Sequence, residues 1–203
     1  MKSLYKHIAI EGNIGAGKST LAKLLSERLS ATFLPEQFED NPFLENFYSD
    51  PKRFAFTVEL SFLEERFRQV RQAVKKSEIL VADYLWEKSL VFARVNLSGE
   101  ELRLFERIFQ IIADQMLLPD IVIYLHRPAE KLLHQINRRG RDFEKNIPPE
   151  YLGKVAAGYR DLFASEKRMP IIWLDNDLGQ EALADEVLKL LDKQFINGLH
   201  RNP

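Results

Sequence analysis

Cysteine is absent from the 203 residues, which excludes disulfides, thiolate metal sites, iron–sulfur clusters and a cysteine nucleophile. That absence fits a reducing compartment, and a cytoplasmic location is expected. Histidine is scarce: His7, His126, His134 and His200 show no HExxH-type spacing. An excess of one charge is also missing, since 29 Lys plus Arg stand against 30 Asp plus Glu. No global field therefore steers the chain onto a nucleic acid polymer or an anionic membrane, and any phosphate-binding surface must be local. No apolar run approaches the ~20 residues that cross a bilayer. The opening MKSLYKHIAIEGN reaches a glycine motif before a signal-peptide apolar region can form, so no targeting segment is expected.

Short apolar runs rich in β-branched residues occur at 4–10, 31–34, 79–82, 121–125 and 171–174, each of strand length. Helix-period segments lie between them at 18–29, 51–75, 85–96, 99–117, 129–138, 149–167 and 180–195. Runs apolar throughout suit strands buried on both faces, and the helices supply the crossovers of a parallel sheet. The expectation is one α/β domain over 1–203, with five parallel strands, helices on both sides and a frayed tail at 197–203. Phe105, Ile108, Phe109, Ile112 and Met116 form an apolar stripe at helical spacing. Core packing explains such a stripe; where it is wider than the sheet can cover, it would serve a homodimer interface.

Gly12-Asn13-Ile14-Gly15-Ala16-Gly17-Lys18-Ser19 is a complete GxxxxGK[ST] between a predicted strand and a predicted helix, the context in which this pattern cradles phosphates. Its glycines let backbone N–H groups wrap an anion, and the helix that follows turns its positive end toward it. Lys18 is expected to reach the β- and γ-phosphates of ATP, and the Ser19 hydroxyl to bind Mg²⁺. Arg138-Arg139-Gly140-Arg141 forms a second basic cluster, which reads as part of a lid at about 138–148 whose guanidinium groups match a transferring phosphoryl. No DxxG or NKxD of a switch GTPase follows the relevant strands, so a small-molecule kinase is the natural remainder.

Ile10 to Thr20, an acid at Glu36, Asn41-Pro42-Phe43-Leu44, Phe47-Tyr48, Pro51 to Phe56, Phe62 to Phe67, Arg139-Gly140-Arg141 with Glu144, and Ile147-Pro148 together resemble the deoxynucleoside kinases, most closely the bacterial deoxyadenosine/deoxyguanosine type. The resemblance runs over roughly residues 4–195. It implies a nucleoside monophosphate kinase-like fold of strand order 2-3-1-4-5, usually as a dimer, acting on a small-molecule deoxynucleoside. It makes Glu36 the base for the 5′-hydroxyl, Tyr48 and Glu144 the holders of the sugar 3′-hydroxyl, and Arg139 and Arg141 the lid cations. Asp175, with the residues after it, is implied to lie along the adenine of the donor.

Two departures stand out. After the third strand the family shows an acid, an arginine and a serine, where this chain has Asp83-Tyr84-Leu85. Asp83 can still serve Mg²⁺, whereas Tyr84 carries no permanent positive charge. In the base site the family glutamine is Glu59, its arginine partner is kept as Arg66, and the family aspartate falls on Lys88 when counted back from Phe92-Ala93. Glu59 and Lys88 are expected to face each other in the pocket, either reading a different base edge or closing the site as an ion pair. Two further readings stay open: a nucleotide-binding regulatory module derived from such a kinase, and a P-loop kinase for another acceptor.

Overall fold

The computed structural model describes residues 5–38, 40–141, 144 and 147–199, the side chains of 193–199 excepted. Its strands are β1 (His7–Gly12), β2 (Thr32–Leu34), β3 (Leu80–Ala82), β4 (Ile121–His126) and β5 (Ile171–Asp175). All pair in parallel, in the order β2-β3-β1-β4-β5, which is the expected topology. The central β1 is buried along its whole length and β4 almost so, whereas β5 at the edge is half-exposed. The uniformly apolar runs follow from that central placement, because helices cover both faces.

The helices are α1 (Lys18–Leu29), α2 (Leu44–Ser49), α3 (Pro51–Lys76), α4 (Lys88–Asn96), α5 (Gly99–Ala113), α6 (Ala129–Arg139), α7 (Pro149–Ser165) and α8 (Gln180–Leu199). Local chemistry sets several ends. Asp50 caps α3 by accepting from the Arg53 backbone N–H at 3.3 Å, Pro51 takes the first helical position, and Lys75 and Lys76 meet the negative end. Gly140, at φ 71°, closes α6 in the left-handed conformation glycine adopts without strain.

Differences from expectation have physical causes. α2 was not expected, since six residues give too short a stretch for helical periodicity to register. α4 starts at Lys88 rather than 85 because Tyr84, Leu85 and Trp86 turn inward and are almost fully buried. α8 continues to Leu199, through the first part of the expected tail. Leu4, residues 142, 143, 145 and 146 of the lid, and 200–203 of the tail lie outside the described residues.

One core lies between the sheet and α1 and α8, built on Leu21, Leu25, Val187 and Leu191. A second packs α3, α4 and α5 together, with Trp86 stacked on Phe109 at 4.8 Å between ring centroids. Of the apolar stripe, Phe105, Phe109 and Met116 are buried, and Ile108 and Ile112 are partly buried against them. Leu104, Ile111 and Leu117 stay exposed. No helix among the described residues is long and apolar enough to cross a membrane.

Candidate active site

The carboxyl ends of β1, β2 and β3 open onto one cavity beneath α3 and α4, as ligand sites in open parallel sheets do. At its floor the glycine loop links β1 to α1. Gly15 and Gly17 adopt φ of +80° and +94°, values that side chains disfavour. A Cβ on Gly15 would lie 2.9 Å from the Leu132 carbonyl oxygen, so the loop's path needs glycine there. Lys18 arches over the loop and donates from Nζ to the carbonyls of Gly12 at 3.0 Å and Asn13 at 3.1 Å.

Buried side chains from distant segments hold this loop. Glu11, fully buried, accepts from the Gly12 N–H at 2.8 Å, the Tyr159 hydroxyl at 2.9 Å and the Leu85 N–H at 2.8 Å. It thereby joins β1, α7 and the segment after β3. Asn13 donates to the Leu152 carbonyl at 2.8 Å, and Asn176 donates to the Ala16 carbonyl at 2.6 Å. Asn176 thus does the anchoring at the end of β5, while its neighbour Asp175 is exposed. Ile14 and Gly15 line the cavity with Lys18 and Ser19, whereas Thr20 faces outward.

Asp83 sits just past β3, near enough to the Ser19 hydroxyl for that group to favour its charged form. Its Oδ1 is buried without a partner among the described residues. Burial pushes its carboxyl up to about 6, against the pull of Lys18 and the Ser19 hydroxyl. One hydroxyl and one carboxylate with an unused oxygen fit Mg²⁺, which takes few protein ligands and completes its octahedron with water and phosphate. The described residues contain no cluster of three acids or histidines that would hold a metal alone.

Glu36, just past β2, occupies the centre. Its Oε1 accepts from Arg66 Nη2 at 2.9 Å and Nε at 3.3 Å, and its Oε2 accepts from Lys88 Nζ at 2.8 Å. Burial works to raise its carboxyl, but Lys88, Arg66 and Lys18 hold it down to about 2. Arg66 is fixed from behind by a 2.9 Å bond from Nη1 to the Ser89 hydroxyl. The expected Glu59–Lys88 pair is therefore not what forms: both line the cavity, but Lys88 pairs with Glu36, and Glu59 Oε1 accepts from Asn96 Nδ2 at 2.7 Å. Arg66 likewise spends its bonds on Glu36 and Ser89. The cause is charge, because the Glu36 carboxylate lies within ion-pair reach of both the Lys88 and the Arg66 cation.

The far end of the cavity is lined by Val58, Glu59, Phe62, Phe92, Asn96 and Tyr151. Burial raises the Glu59 carboxyl to about 7. Asn96 also donates to the Tyr151 hydroxyl at 3.2 Å; neither was foreseen. Spacing carried the signal for Asn96, since Lys88, Phe92 and Asn96 recur every four residues and so share one face of α4. Tyr84 is not in the cavity lining: its hydroxyl donates to Gln69 Oε1 at 3.0 Å inside the core.

At the lid side, Glu144 Oε2 accepts from Arg139 Nε at 3.1 Å and is ion-paired with its Nη2, while Arg141 lies 3.6 Å from Oε1. Arg141 also covers the Phe38 ring at 4.6 Å. Tyr48 lines the same wall, its hydroxyl pushed up to about 12 by burial and by Glu144. Ile14, Gly15, Lys18, Ser19, Glu36, Tyr48, Glu59, Arg66, Asp83, Lys88, Arg139, Arg141 and Glu144 thus meet around one cavity that joins a glycine loop to an apolar slot, whereas Gly12, Asn13, Ala16, Gly17, Thr20 and Asp175 do not line it.

Residues 8–197 match the family model for deoxynucleoside kinases. A deoxyguanosine kinase of Bacillus subtilis (strain 168) is 35% identical over 178 residues, covering 84% of this chain and 86% of that protein. A deoxyadenosine kinase of Dictyostelium discoideum is 36% identical over 172 residues, covering 82% and 70%. The structure of deoxyadenosine kinase from M. mycoides with bound dATP is similar with a TM-score of 0.83 at 27% identity, covering 91% of this chain and 98% of that one. The chain belongs to the deoxynucleoside kinase family, whose members phosphorylate nucleosides.

Proposed function

We propose that the protein transfers the γ-phosphoryl group of ATP to the 5′-hydroxyl of a deoxynucleoside, yielding the 5′-monophosphate in nucleotide salvage, and works as a cytoplasmic homodimer. One observation carries the reading: Lys18 and Ser19 of the phosphate loop line the same cavity as Glu36, Tyr48 and Glu144. A phosphate donor and a sugar hydroxyl brought to the two ends of that cavity would meet at Glu36. The base would lie in the apolar slot between Phe62 and Phe92, and Tyr48 with Glu144 would hold the 3′-hydroxyl.

Glu36 takes the 5′-hydroxyl proton as the O5′–phosphorus bond forms and the bond to the β-phosphate oxygen breaks. Lys18, Arg139 and Arg141 stabilise the charge that spreads over the phosphoryl oxygens. Mg²⁺, held by Ser19 and Asp83 together with triphosphate oxygens, would neutralise the donor. The backbone near Asp175 would border its adenine. Exposed Leu104, Ile111 and Leu117 supply the apolar surface for a second copy.

Incubation with Mg²⁺·ATP and each of the four deoxynucleosides, with a Glu36→Gln control, tests this reading. Monophosphate formation that is lost in the control is expected. Turnover that persists in the control, or no turnover with any of the four, would overturn it.

A further inference from the structure

We propose that Lys88 is a charge-supplying residue of the phosphoryl transfer, held on Glu36 until the acceptor hydroxyl arrives and then turned to the transferring group. The proposal rests on the kinase reading, with Glu36 as base. The Lys88 and Glu36 side chains are largely buried, at 5% and 12% exposure. Two cations, Arg66 and Lys88, share that one carboxylate, and Lys18 lies close enough to be affected by Lys88. With Glu11, Asp83 and Glu36 facing Lys18 and Lys88 the charges nearly balance as they stand, and a cation displaced from Glu36 is costly to leave buried unless an anion joins it.

The two cations differ in freedom. Arg66 is clamped on both sides, by Glu36 and Ser89. Among the described residues Lys88 makes one hydrogen bond, to Glu36 Oε2, and its ammonium lies over the Phe92 ring at 5.3 Å. A 5′-hydroxyl that donates its proton to Oε2 competes with Lys88 for the same oxygen. The displaced ammonium has the phosphoryl path beside it, between Glu36 and Lys18. In the step, the hydroxyl proton passes to Glu36, the O5′–phosphorus bond forms, the bond to ADP breaks with its electron pair, and Lys88 donates to the phosphoryl oxygens. Asp83-Tyr84 puts no arginine at this point, and Lys88 delivers the missing charge from one turn into the chain beyond it.

Lys88→Met, Lys88→Ala and Lys88→Arg, each with ATP affinity measured as a check on folding, test the proposal. Lys88→Met is expected to lower kcat by ~10²–10³-fold, the scale of a lost transition-state donor, with less effect on the nucleoside KM. Lys88→Arg is expected to keep kcat within ~10-fold, and methylammonium or ethylammonium to raise the rate of Lys88→Ala in a saturable way. Glu36→Gln is expected to be inactive and not rescued by amines. Wild-type kcat in Lys88→Met, or loss in Lys88→Ala that no amine restores, would overturn the role of Lys88 while Glu36→Gln stays inactive. An active Glu36→Gln would instead overturn the underlying reading.

A different observation at the other end of the cavity carries a second inference: the structure assigns the slot to a guanine base. Glu59 is 3% exposed; its Oε1 is taken by Asn96, and its Oε2 has no partner among the described residues. Ionised, as it is above about pH 7, the Glu59 carboxylate only accepts hydrogen bonds. Guanine presents two adjacent donors, N1–H and the 2-amino group, to such an edge. Adenine and cytosine place a ring-nitrogen lone pair beside their amino group, and thymine has one N–H between two carbonyls.

The ratio of kcat/KM for deoxyguanosine over deoxyadenosine, and for deoxyguanosine over deoxyinosine, tests it on wild type and Glu59→Gln. Wild type is expected to favour deoxyguanosine by ~10-fold or more in both, and Glu59→Gln to reduce the first ratio by at least ~10-fold, because an amide offers one donor and one acceptor. A wild-type preference for deoxyadenosine or deoxycytidine, or a ratio unchanged in the variant, would overturn it. Because each readout compares measurable rates, it stays separate from the question of whether the protein is a kinase.

Discussion

Replacing Glu59 by glutamine should make the protein more stable, and the gain should depend on pH. Burial raises this carboxyl from its ordinary 4.5 to about 7, so the folded chain holds a proton there that the unfolded chain has already released. Between those values stability falls as pH rises, because the folded state binds more protons. Glu59 is thus neutral in its effect below about pH 4.5, increasingly unfavourable from there to about 7, and unfavourable by a constant amount above that. The gap between 4.5 and about 7, at ~1.4 kcal/mol for each unit of pH, sets an upper bound of about 3.5 kcal/mol. Glutamine keeps the acceptor for Asn96 and removes the charge. Thermal or urea unfolding should show Glu59→Gln ahead of wild type by ~1–3 kcal/mol at pH 8, or several degrees in Tm, with the gap closing toward pH 4.5. Equal stability at pH 8, or a gap that widens on acidification, would refute this reasoning. Such a cost is what a group kept for binding rather than stability carries.

His7 behaves oppositely: burial lowers it to about 4, so its contribution is complete above pH 6.5 and is lost as pH falls toward 4; His7→Leu should flatten the stability profile in that window. Gly15→Ala places a Cβ 2.9 Å from the Leu132 carbonyl oxygen at a φ of +80°, and calorimetry should find ATP affinity down by at least ~10-fold. Tyr84→Phe removes the hydroxyl bonded to Gln69 and should cost ~1 kcal/mol in denaturant titrations, while kcat stays within about twofold of wild type.

Much of this architecture was legible because the physics behind it is local. Strands buried on both faces must be apolar throughout, and the glycine loop with Lys18 and Ser19 is stereotyped by the anion it wraps. Glu36, Tyr48, Arg139, Arg141 and Glu144 were likewise found at the cavity. What escaped depends on reach across the fold. A residue count put Lys88 at the base end, but its long side chain extends to Glu36, a choice set by a carboxylate 52 residues away in the chain. Tyr84 looked like a replacement for a phosphate-directed arginine, yet its ring is part of the core against α3. The anchoring roles of Glu11 and Asn176 escaped because their partners come from distant segments. Asn96 alone was recoverable, from its spacing with Phe92.

The most direct measurement follows the phosphorus itself. With ATP labelled in the γ-phosphoryl group, Mg²⁺ and deoxyguanosine, the label should appear on the 5′-oxygen of the nucleoside in step with ADP formation, and Glu36→Gln should abolish that transfer. Label released only as inorganic phosphate, or transferred equally well without the Glu36 carboxylate, would contradict the account.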